Sequence, residues 1–294
     1  MIIDNRICGK TRLAGVIGNP IEHTVSPQLH NSLALRLGID MAYLPFFVRD
    51  EDLGDAVKGL KSLNFIGFNI TVPYKQAVMK CLDEISSDAI LFGAVNTVKI
   101  ENGRLYGYNT DAEGFARSFK EETGTGFAGK RVLILGAGGS SRAVAVKTAM
   151  EGADNVYIAN RTISKAEEIA GIINRNIKNI AVAIEYNDQC LQNIINACDI
   201  IINTTVIGMY PETCKSPLAE SIKLLKDQVV YDLIYNPECT RLLESAKKFG
   251  LRNANGLGML FYQGVLAFEI WTGIKIPSEE LKEAYISFSE IVQK

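Results

Sequence analysis

The sequence predicts two α/β domains, the second of them built on a doubly wound parallel sheet. Five short apolar segments lie between residues 131 and 233. They are 131–135, 155–159, 181–186, 199–203 and 229–233. Segments of helical character separate the first four and a loop precedes the fifth, which is typical of strands that pair in parallel. A glycine cluster follows the first segment and begins a helix. Strand, tight turn and helix in this order indicate a Rossmann-type nucleotide-binding domain.

The glycine turn at residues 136–139 predicts a binding site for a pyrophosphate. Gly136 and Gly138 let the backbone turn sharply and approach a ligand closely. The free N–H groups of the following helix and the positive end of its dipole favour an anion. The third position of the usual G-x-G-x-x-G pattern is Ser141, a small residue but not glycine. The turn alone is weak evidence, and its place after a buried strand strengthens it.

The residues after the second apolar segment predict which cofactor binds. A carboxylate at this point would bind the ribose 2′-hydroxyl of NAD, but the chain has Asn160, Arg161 and Thr162 instead. Arg161 favours a 2′-phosphate, and Lys165 adds a positive charge one helical turn later. The predicted cofactor is therefore NADP. The alternative is that Arg161 is only a solvated basic residue at the start of a surface helix.

The N-terminal third contains hydroxyl groups near a predicted helix start. A strand at 13–18 leads through a loop to Ser26-Pro27, a pattern typical of a helix N-cap followed by proline. Thr24 and Ser26 can donate hydrogen bonds to a carboxylate, which the helix end would also favour. Alternatively, Ser26 only caps the helix. His23 and His30 are interpreted as ordinary packed or capping histidines.

Lys75 follows the strand at 65–72 and the proline at position 73. Since proline after a strand begins a helix well, we expect Lys75 in the first helical turn. The positive helix end would disfavour the ammonium form there and promote proton exchange. The alternative is an exposed surface lysine.

A hairpin is predicted where Asn102-Gly103 joins segments 93–100 and 104–108. It brings Asn96 and Asp111 to the ends of the hairpin, where two polar groups can face one ligand. Asp111 could also serve only to cap the helix at 112–120.

Composition excludes several other classes of function. The 294 residues are 47% hydrophobic and 22% charged, with a net charge of −2, so we expect neither nucleic-acid nor membrane binding. The apolar segment at 256–271 is too short for a span and is predicted to be a buried helix. Residues 1–6 lack the apolar core of a signal peptide, so we expect a cytoplasmic protein. The scattered cysteines and two histidines predict no metal site.

Two common types of dehydrogenase are excluded by their missing residues. No tyrosine is followed four positions later by lysine, as the base of short-chain dehydrogenases requires, and the ligands of zinc alcohol dehydrogenases are absent. Lys75 remains as the expected acid/base, with Asp111 as a possible partner.

The chain resembles the shikimate dehydrogenases along most of its length. Residues 18–27 resemble that family's G-x-P-x-x-H-S-x-S-P loop, and residues 69–75 its N-[VI]-T-x-P-[FY]-K motif. Segments 93–97 and 109–111 match G-A-x-N-T and N-T-D. Further matches are residues 136–139, 160–162 and 256–260, the last followed by Gln263.

The resemblance implies reversible, NADP-dependent reduction of 3-dehydroshikimate to shikimate in aromatic amino-acid biosynthesis. It implies that Lys75 is the proton donor and acceptor, paired with Asp111. The implied substrate-binding residues are Thr24 and Ser26 for the carboxylate, and Thr71, Lys75, Asn96, Asp111 and Gln263 for the ring hydroxyls, with Tyr235 nearby. The implied NADP contacts are Gly136, Ala137, Gly138, Gly139, Ser140, Asn160, Arg161, Thr162, Lys165, Leu233 and Gly256.

Three further expectations complete the interpretation. Residues 1–111 with 256–294 form the substrate-binding domain, and residues 112–255 form the NADP-binding domain. The protein is a monomer or homodimer. Thr24 stands where the family usually has serine, so its extra methyl leaves open a quinate or dual quinate/shikimate dehydrogenase. A catalytically silent NADP-binding sensor is the alternative outside the enzymes.

Overall fold

The computed structural model of the protein describes residues 7–293. Residues 1–6, on which the expectation of no export signal rests, lie outside this range, as does residue 294. The chain divides into two compact units, Met1–Thr110 with Gln263–Lys294, and Asp111–Tyr262. The units differ from the sequence-based domains in that Asp111 and residues 256–262 belong to the second unit. The functional domain boundaries therefore stay a prediction.

Helices and strands alternate through most of both units. Up to residue 110 they are β1 (Arg12–Gly18), α1 (Ser26–Arg36), β2 (Met41–Phe47), α2 (Leu53–Ser62), β3 (Gly67–Ile70), β4 (Glu84–Ile85), α3 (Ser87–Phe92), β5 (Thr97–Glu101) and β6 (Arg104–Tyr108). They continue with α4 (Thr110–Thr123), β7 (Arg131–Leu135), α5 (Gly139–Met150), β8 (Asn155–Asn160), α6 (Ile163–Asn176), β9 (Ala181–Glu185), α7 (Asp188–Ile195), β10 (Ile200–Asn203), β11 (Val229–Asp232), α8 (Arg241–Lys248), β12 (Arg252–Ala254), α9 (Leu257–Thr272) and α10 (Ser278–Val292).

The first unit contains a mixed sheet in the order β2-β1-β3-β5-β6-β4. Strands β2, β1 and β3 are parallel, and β5 and β6 form the predicted antiparallel hairpin. Its turn residues Asn102 and Gly103 have φ angles of 51° and 72°, the left-handed conformation that an Asn-Gly hairpin turn requires. Trp271 of α9 packs on this sheet and donates from Nε1 to the Val98 carbonyl at 2.9 Å. The C-terminal part of α9 thus belongs to the core of this unit.

The second unit contains the predicted parallel sheet, in the order β12-β11-β10-β7-β8-β9. Numbered within the unit, this is the strand order 3-2-1-4-5-6 of dinucleotide-binding domains. Residues 132–135 of β7 are fully buried, because helices cover both faces of such a sheet. The two-domain α/β fold class is therefore confirmed. The strand order reverses between β7 and β10, which is where this fold binds its ligands.

The structure differs from the local predictions after β3 and contains two short strands that were not predicted. Proline 73 begins no α-helix, because residues 72–76 form turns and lead into a 3₁₀ helix at Ala77–Cys81. Tyr74 is held by long-range hydrogen bonds instead, since its hydroxyl donates to the Val48 carbonyl at 2.6 Å. The argument that a helix dipole acts on Lys75 was therefore wrong. The short strands β4 and β12 carry too little apolar alternation to be predicted.

The apolar segment near the C-terminus is the largely buried helix α9, as predicted. Among residues 7–293, no helix has both the length and the apolar character that crossing a membrane would require.

Candidate active site

The glycine turn lies at the carboxyl end of β7, where the strand order reverses. Gly136 has φ +109°, and a Cβ there would lie 2.7 Å from the Thr204 hydroxyl, so only glycine fits. Gly138, Gly139 and Ser140 are exposed at the N-terminus of α5, and no side chain caps that end. An exposed helix N-terminus without a side-chain cap is what an anion site requires.

Ser141 explains how the chain does without the third glycine of the pattern. Its side chain is fully buried, and its hydroxyl donates to the Gly136 carbonyl at 2.6 Å. This bond ties the first turn of α5 to the start of the glycine turn. Serine at position 141 therefore stabilises the turn, and it leaves the exposed face of the turn accessible to a ligand.

The residues predicted to contact a 2′-phosphate follow β8, the neighbour of β7. Asn160 ends that strand, and its amide donates to the Thr162 carbonyl at 2.9 Å, which fixes the bend. Arg161, Thr162 and Lys165 are all exposed. Within the described residues, neither Arg161 nor Lys165 forms an ion pair with a carboxylate. Both positive charges are thus available to an anionic ligand.

Arg161 also influences the next strand along the sheet. Burial raises the pKa of Tyr186, which follows β9, and the nearby guanidinium of Arg161 partly opposes that rise. The positive charge is therefore felt across the ends of β8 and β9, where an adenosine 2′-phosphate lies in this fold.

Leu233 and Gly256, the other predicted cofactor contacts, lie against each other in the second unit. A Cβ on Gly256 would lie 1.9 Å from the Leu233 carbonyl oxygen, so this backbone approach requires glycine. The Gly256 N–H donates to the Ile234 carbonyl at 3.2 Å. Tyr235 is 40% exposed in the same loop, and partial burial raises the pKa of its phenol.

In the first unit, Thr24 and Ser26 form a hydroxyl pair at the start of α1. The Thr24 hydroxyl donates to Ser26 Oγ at 3.2 Å, and the Ser26 N–H donates to Thr24 Oγ1 at 3.3 Å. Ser26 is the first residue of α1 and makes no capping hydrogen bond, so its prediction as N-cap was wrong. The interpretation of Ser26 as only a cap is therefore unsupported.

A buried polar network runs from Tyr43 to Asn96 in the first unit. Tyr43 donates its hydroxyl proton to Asn69 Oδ1 at 2.7 Å, and Asn69 Nδ2 donates to the Asn96 carbonyl at 3.0 Å. Asn31 of α1 fixes Tyr43 itself by bonding both its N–H and its carbonyl at 2.9 Å. Side chains from α1, β2 and β3 thus hold the backbone at Asn96 in place.

Asn96 also connects this network to the start of α4. Its Oδ1 accepts from the Thr110 N–H at 2.8 Å, and its Nδ2 donates to the Thr110 hydroxyl at 3.0 Å. Asn96 and Thr110 are only 2% and 3% exposed. These two hydrogen bonds orient the first turn of α4, in which Asp111 is the second residue.

Thr71 and Lys75 follow β3. A Cβ on Gly18 would lie 2.3 Å from Thr71 Cγ2, which shows how closely this residue packs on the end of β1. Lys75 is half-buried, and its carbonyl accepts from the Val95 N–H at 2.8 Å. Gln263 is also half-buried, in the part of α9 that belongs to this unit. The residues predicted to bind the substrate are therefore divided between the units. Asp111 and Tyr235 lie in the second unit, and the first contains Thr24, Ser26, Thr71, Lys75, Asn96 and Gln263.

Comparisons with known proteins point to one family. Three family models match: the shikimate dehydrogenase substrate-binding domain over residues 16–98, shikimate/quinate 5-dehydrogenase over 118–212, and the shikimate 5′-dehydrogenase C-terminal domain over 256–284. The chain is 47% identical to the shikimate dehydrogenase (NADP⁺) of Methanococcus maripaludis, over 96% of this chain and 99% of that protein. It is 43% identical to that of Methanopyrus kandleri, over 97% and 99%.

The chain belongs to the shikimate dehydrogenase family. A solved family member is the shikimate 5-dehydrogenase of Listeria monocytogenes in complex with shikimate and NAD. It is 38% identical, covers 96% of this chain and 98% of its own, and superposes with a TM-score of 0.91. The resemblance inferred from the motifs is therefore confirmed.

The structure adds residues to the family site that the sequence did not single out. Asn69 donates a hydrogen bond to the Asn96 carbonyl, and Tyr43 holds Asn69 in place. Of these two residues, only Asn69 lies within a recognised motif. In the second unit, Asn203 and Asp232 end β10 and β11 and are both fully buried. Polar residues that end apolar strands at the switch point were the available signal, but their pairing across the sheet cannot be recognised from the chain alone.

Proposed function

We propose that this member of the family is an NADP-dependent shikimate dehydrogenase that reversibly reduces 3-dehydroshikimate to shikimate, a step of aromatic amino-acid biosynthesis. The observation that carries the proposal is an uncapped glycine-turn helix followed, on the next strand, by exposed Arg161 where an NAD-binding domain has a carboxylate. The curated relatives at 43–47% identity are named as NADP⁺-dependent shikimate dehydrogenases.

The second unit holds the cofactor in this proposal. N–H groups at Gly138, Gly139 and Ser140 bind the pyrophosphate at the start of α5, and Arg161 binds the 2′-phosphate. Its remaining contacts are Gly136, Ala137, Asn160, Thr162, Lys165, Leu233 and Gly256. When bound, NADP takes up a hydride during shikimate oxidation and returns it during the reverse reaction.

The first unit supplies most of the substrate site. The hydroxyls of Thr24 and Ser26 bind the carboxylate, because they lie together beside the N-terminus of α1 and Ser26 is not used as a cap. The ring hydroxyls are bound by Thr71, Lys75, Asn96, Asp111 and Gln263, with Tyr235 nearby. Neutral amides and hydroxyls suit a ligand that is rich in hydroxyl groups.

Lys75 moves the proton. In the reduction, its ammonium group donates a proton to the carbonyl oxygen, which becomes the shikimate hydroxyl. In the oxidation, the amine at Lys75 Nζ removes that proton. Asp111 orients the lysine in this proposal.

A quinate or dual-specificity enzyme is the alternative within the family, and the matching shikimate/quinate model supports keeping it. Quinate carries an additional ring hydroxyl, and the methyl of Thr24 narrows the carboxylate end of the site. We therefore propose a preference for shikimate. In the Thr24→Ser variant, we expect the kcat/KM ratio of quinate to shikimate to rise roughly threefold. An unchanged ratio would show that the methyl does not set the specificity.

Steady-state assays of shikimate and quinate, each with NADP and with NAD, test the proposed function. We expect kcat/KM for shikimate with NADP to exceed each other combination by at least about tenfold. A protein that binds NADP but oxidises neither acid would instead be a catalytically silent sensor. Equal turnover of both acids would indicate the dual-specificity enzyme.

Two finer properties are proposed from the sequence. We propose that the protein works in the cytoplasm, where its substrate pathway operates, and that it is a monomer or homodimer. Light scattering coupled to size-exclusion chromatography would contradict the second proposal by showing a larger assembly.

A further inference from the structure

Asp232 is a fully buried carboxyl at the carboxyl end of β11. Its Oδ1 accepts from Asn203 Nδ2 at 2.9 Å and from the Ile234 N–H at 3.1 Å. Its Oδ2 accepts from the Thr240 hydroxyl at 2.6 Å. No charged side chain is among the causes that shift its pKa, which burial raises to about 6 against the three hydrogen bonds. A buried acid with only neutral partners lowers the stability of the fold. Its use to the protein therefore lies in the groups that it holds.

Asn203 extends the network from Asp232 to the loop after β10. Asn203 Oδ1 accepts from the Thr205 N–H at 3.0 Å and from the Thr205 hydroxyl at 2.7 Å. Thr205 Oγ1 in turn accepts from the Ile207 N–H at 3.2 Å. One continuous chain of hydrogen bonds therefore joins the loop after β10 to the loop after β11.

Both loops contact elements of the proposed cofactor site. A Cβ on Gly136 would lie 2.7 Å from Thr204 Oγ1, so the first loop packs directly on the glycine turn. The second loop contains Leu233, whose carbonyl lies against Gly256, a contact that tolerates no Cβ. A shift of either loop would therefore displace backbone that the cofactor must approach closely.

We propose that Asp232 is a positioning residue of the cofactor site, which acts through Asn203 to hold the loops at Thr204–Ile207 and Leu233–Ile234 in the conformation that binds NADP. The inference rests on the proposed function for the identity of the cofactor. A carboxylate suits this role because its two oxygens accept three hydrogen bonds, one from the end of β10 and two from the loop after β11. An apolar residue would leave all three donors unpaired in the core.

Gln228 provides a matched control at the opposite end of the same strand. It immediately precedes β11 and is 4% exposed. Its Nε2 donates to the carbonyls of Ile195 and Cys198 at 2.7 and 2.9 Å, and its Oε1 accepts from the Leu225 N–H at 2.7 Å. Gln228 is thus a buried side chain with three hydrogen bonds, like Asp232. It lies at the amino end of β11, however, whereas the glycine turn lies at the carboxyl end of β7.

The test is a fluorescence titration of NADP into the full-length protein without shikimate, combined with thermal unfolding. We expect both Asp232→Ala and Gln228→Ala to lower Tm, because each leaves buried donors or acceptors unpaired. Only Asp232→Ala should raise the Kd for NADP, by at least about tenfold. The Gln228→Ala variant should keep the wild-type Kd within about twofold.

Two milder variants decide the matter if Asp232→Ala does not fold. Asp232→Asn keeps the shape and most of the bonds, so we expect nearly wild-type NADP affinity. Thr240→Val removes the bond to Oδ2 together with the N-cap bond that Thr240 Oγ1 accepts from the Leu243 N–H at 3.4 Å, and it should raise Kd roughly threefold. Wild-type affinity in Asp232→Ala or, where that variant does not fold, in Thr240→Val would overturn the inference, as would an equal loss in Gln228→Ala. A wild-type protein that binds no NADP would instead contradict the proposed function itself.

Discussion

His30 in the first unit and Asp232 in the second are both fully buried titratable side chains, but their surroundings treat them in opposite ways. His30 in the first unit stacks on Tyr43 with ring centroids 4.2 Å apart, and neither of its nitrogens has a hydrogen-bond partner among the described residues. Asp232 in the second unit accepts three hydrogen bonds. Burial lowers the pKa of His30 to about 3, against a smaller raising effect of Asn69, and raises that of Asp232 to about 6.

The difference shows how each unit uses burial. His30 is an aromatic packing residue that supports Tyr43, which in turn orients Asn69 and the backbone of Asn96. Asp232 forms hydrogen bonds that connect the loop after β10 to the loop after β11. The buried network of the first unit is therefore made of neutral groups, and that of the second unit contains a carboxyl. The following predictions separate the two units by catalysis, ligand affinity and pH dependence.

The largest expected effect is the loss of turnover in Lys75→Ala. Removing the group that donates and accepts the proton should lower kcat by about 10²- to 10⁴-fold, with a much smaller change in the KM for shikimate. Steady-state kinetics measure both constants. Lys58→Ala is the matched control, because Lys58 lies in the same unit with an 80% exposed side chain. A variant in which chiefly KM rises would show that Lys75 binds the substrate rather than transferring its proton.

The next effect is confined to cofactor affinity in Arg161→Ala. Loss of a charge-assisted hydrogen bond to the 2′-phosphate should raise the KM for NADP by about 10- to 100-fold and leave the KM for NAD nearly unchanged. Kinetics with both cofactors measure the two constants. Arg175→Ala, which changes another exposed arginine of the same unit, serves as the control. Equal losses with NADP and NAD would mean that Arg161 does not recognise the phosphate.

His30 should make the first unit sensitive to acid. Because its folded pKa of about 3 lies below the unfolded value near 6.5, the unfolded chain takes up a proton first, and stability falls as the pH decreases below 6.5. His30→Phe keeps an aromatic ring and removes this dependence. Its free energy of unfolding in urea should exceed that of wild type by about 3 kcal/mol more at about pH 4.5 than at about pH 8, because the variant does not lose stability in acid. Parallel pH profiles of the two proteins would contradict the assignment.

Asp232 should have the opposite pH dependence. Its folded pKa of about 6 lies above the unfolded value near 3.9, so its contribution to stability is present at low pH and is lost as the pH rises through 6. Asp232→Asn stays neutral throughout. Its free energy of unfolding should exceed that of wild type by about 2 kcal/mol more at about pH 8 than at about pH 4.5, because the variant does not lose stability as the pH rises. A difference of the opposite sign would show that the carboxyl is stabilised in its charged form.

The fold was largely predictable because its signals are local. Apolar segments that alternate with helices predicted the parallel sheet, and Asn102-Gly103 predicted the hairpin. Position 73 shows where local signals fail: proline favours a helix start, but the hydrogen bonds that join Tyr74 to Val48 and Lys75 to Val95 hold turns instead. Motifs identified the candidate site residues, whereas the Asn203–Asp232 pair joins residues 29 positions apart and depends on strand register. Such partners become visible only when the sheet is known.

One titration tests most directly the claim that the two units have separate tasks. NADP is titrated into wild type and into Lys75→Ala, the variant that should have lost turnover. The account predicts the same Kd for NADP within about twofold, since Lys75 belongs to the unit that binds the substrate and transfers its proton. A Kd raised as far as in Arg161→Ala would contradict it, because the loss of turnover would then reflect a damaged cofactor site rather than a missing acid/base.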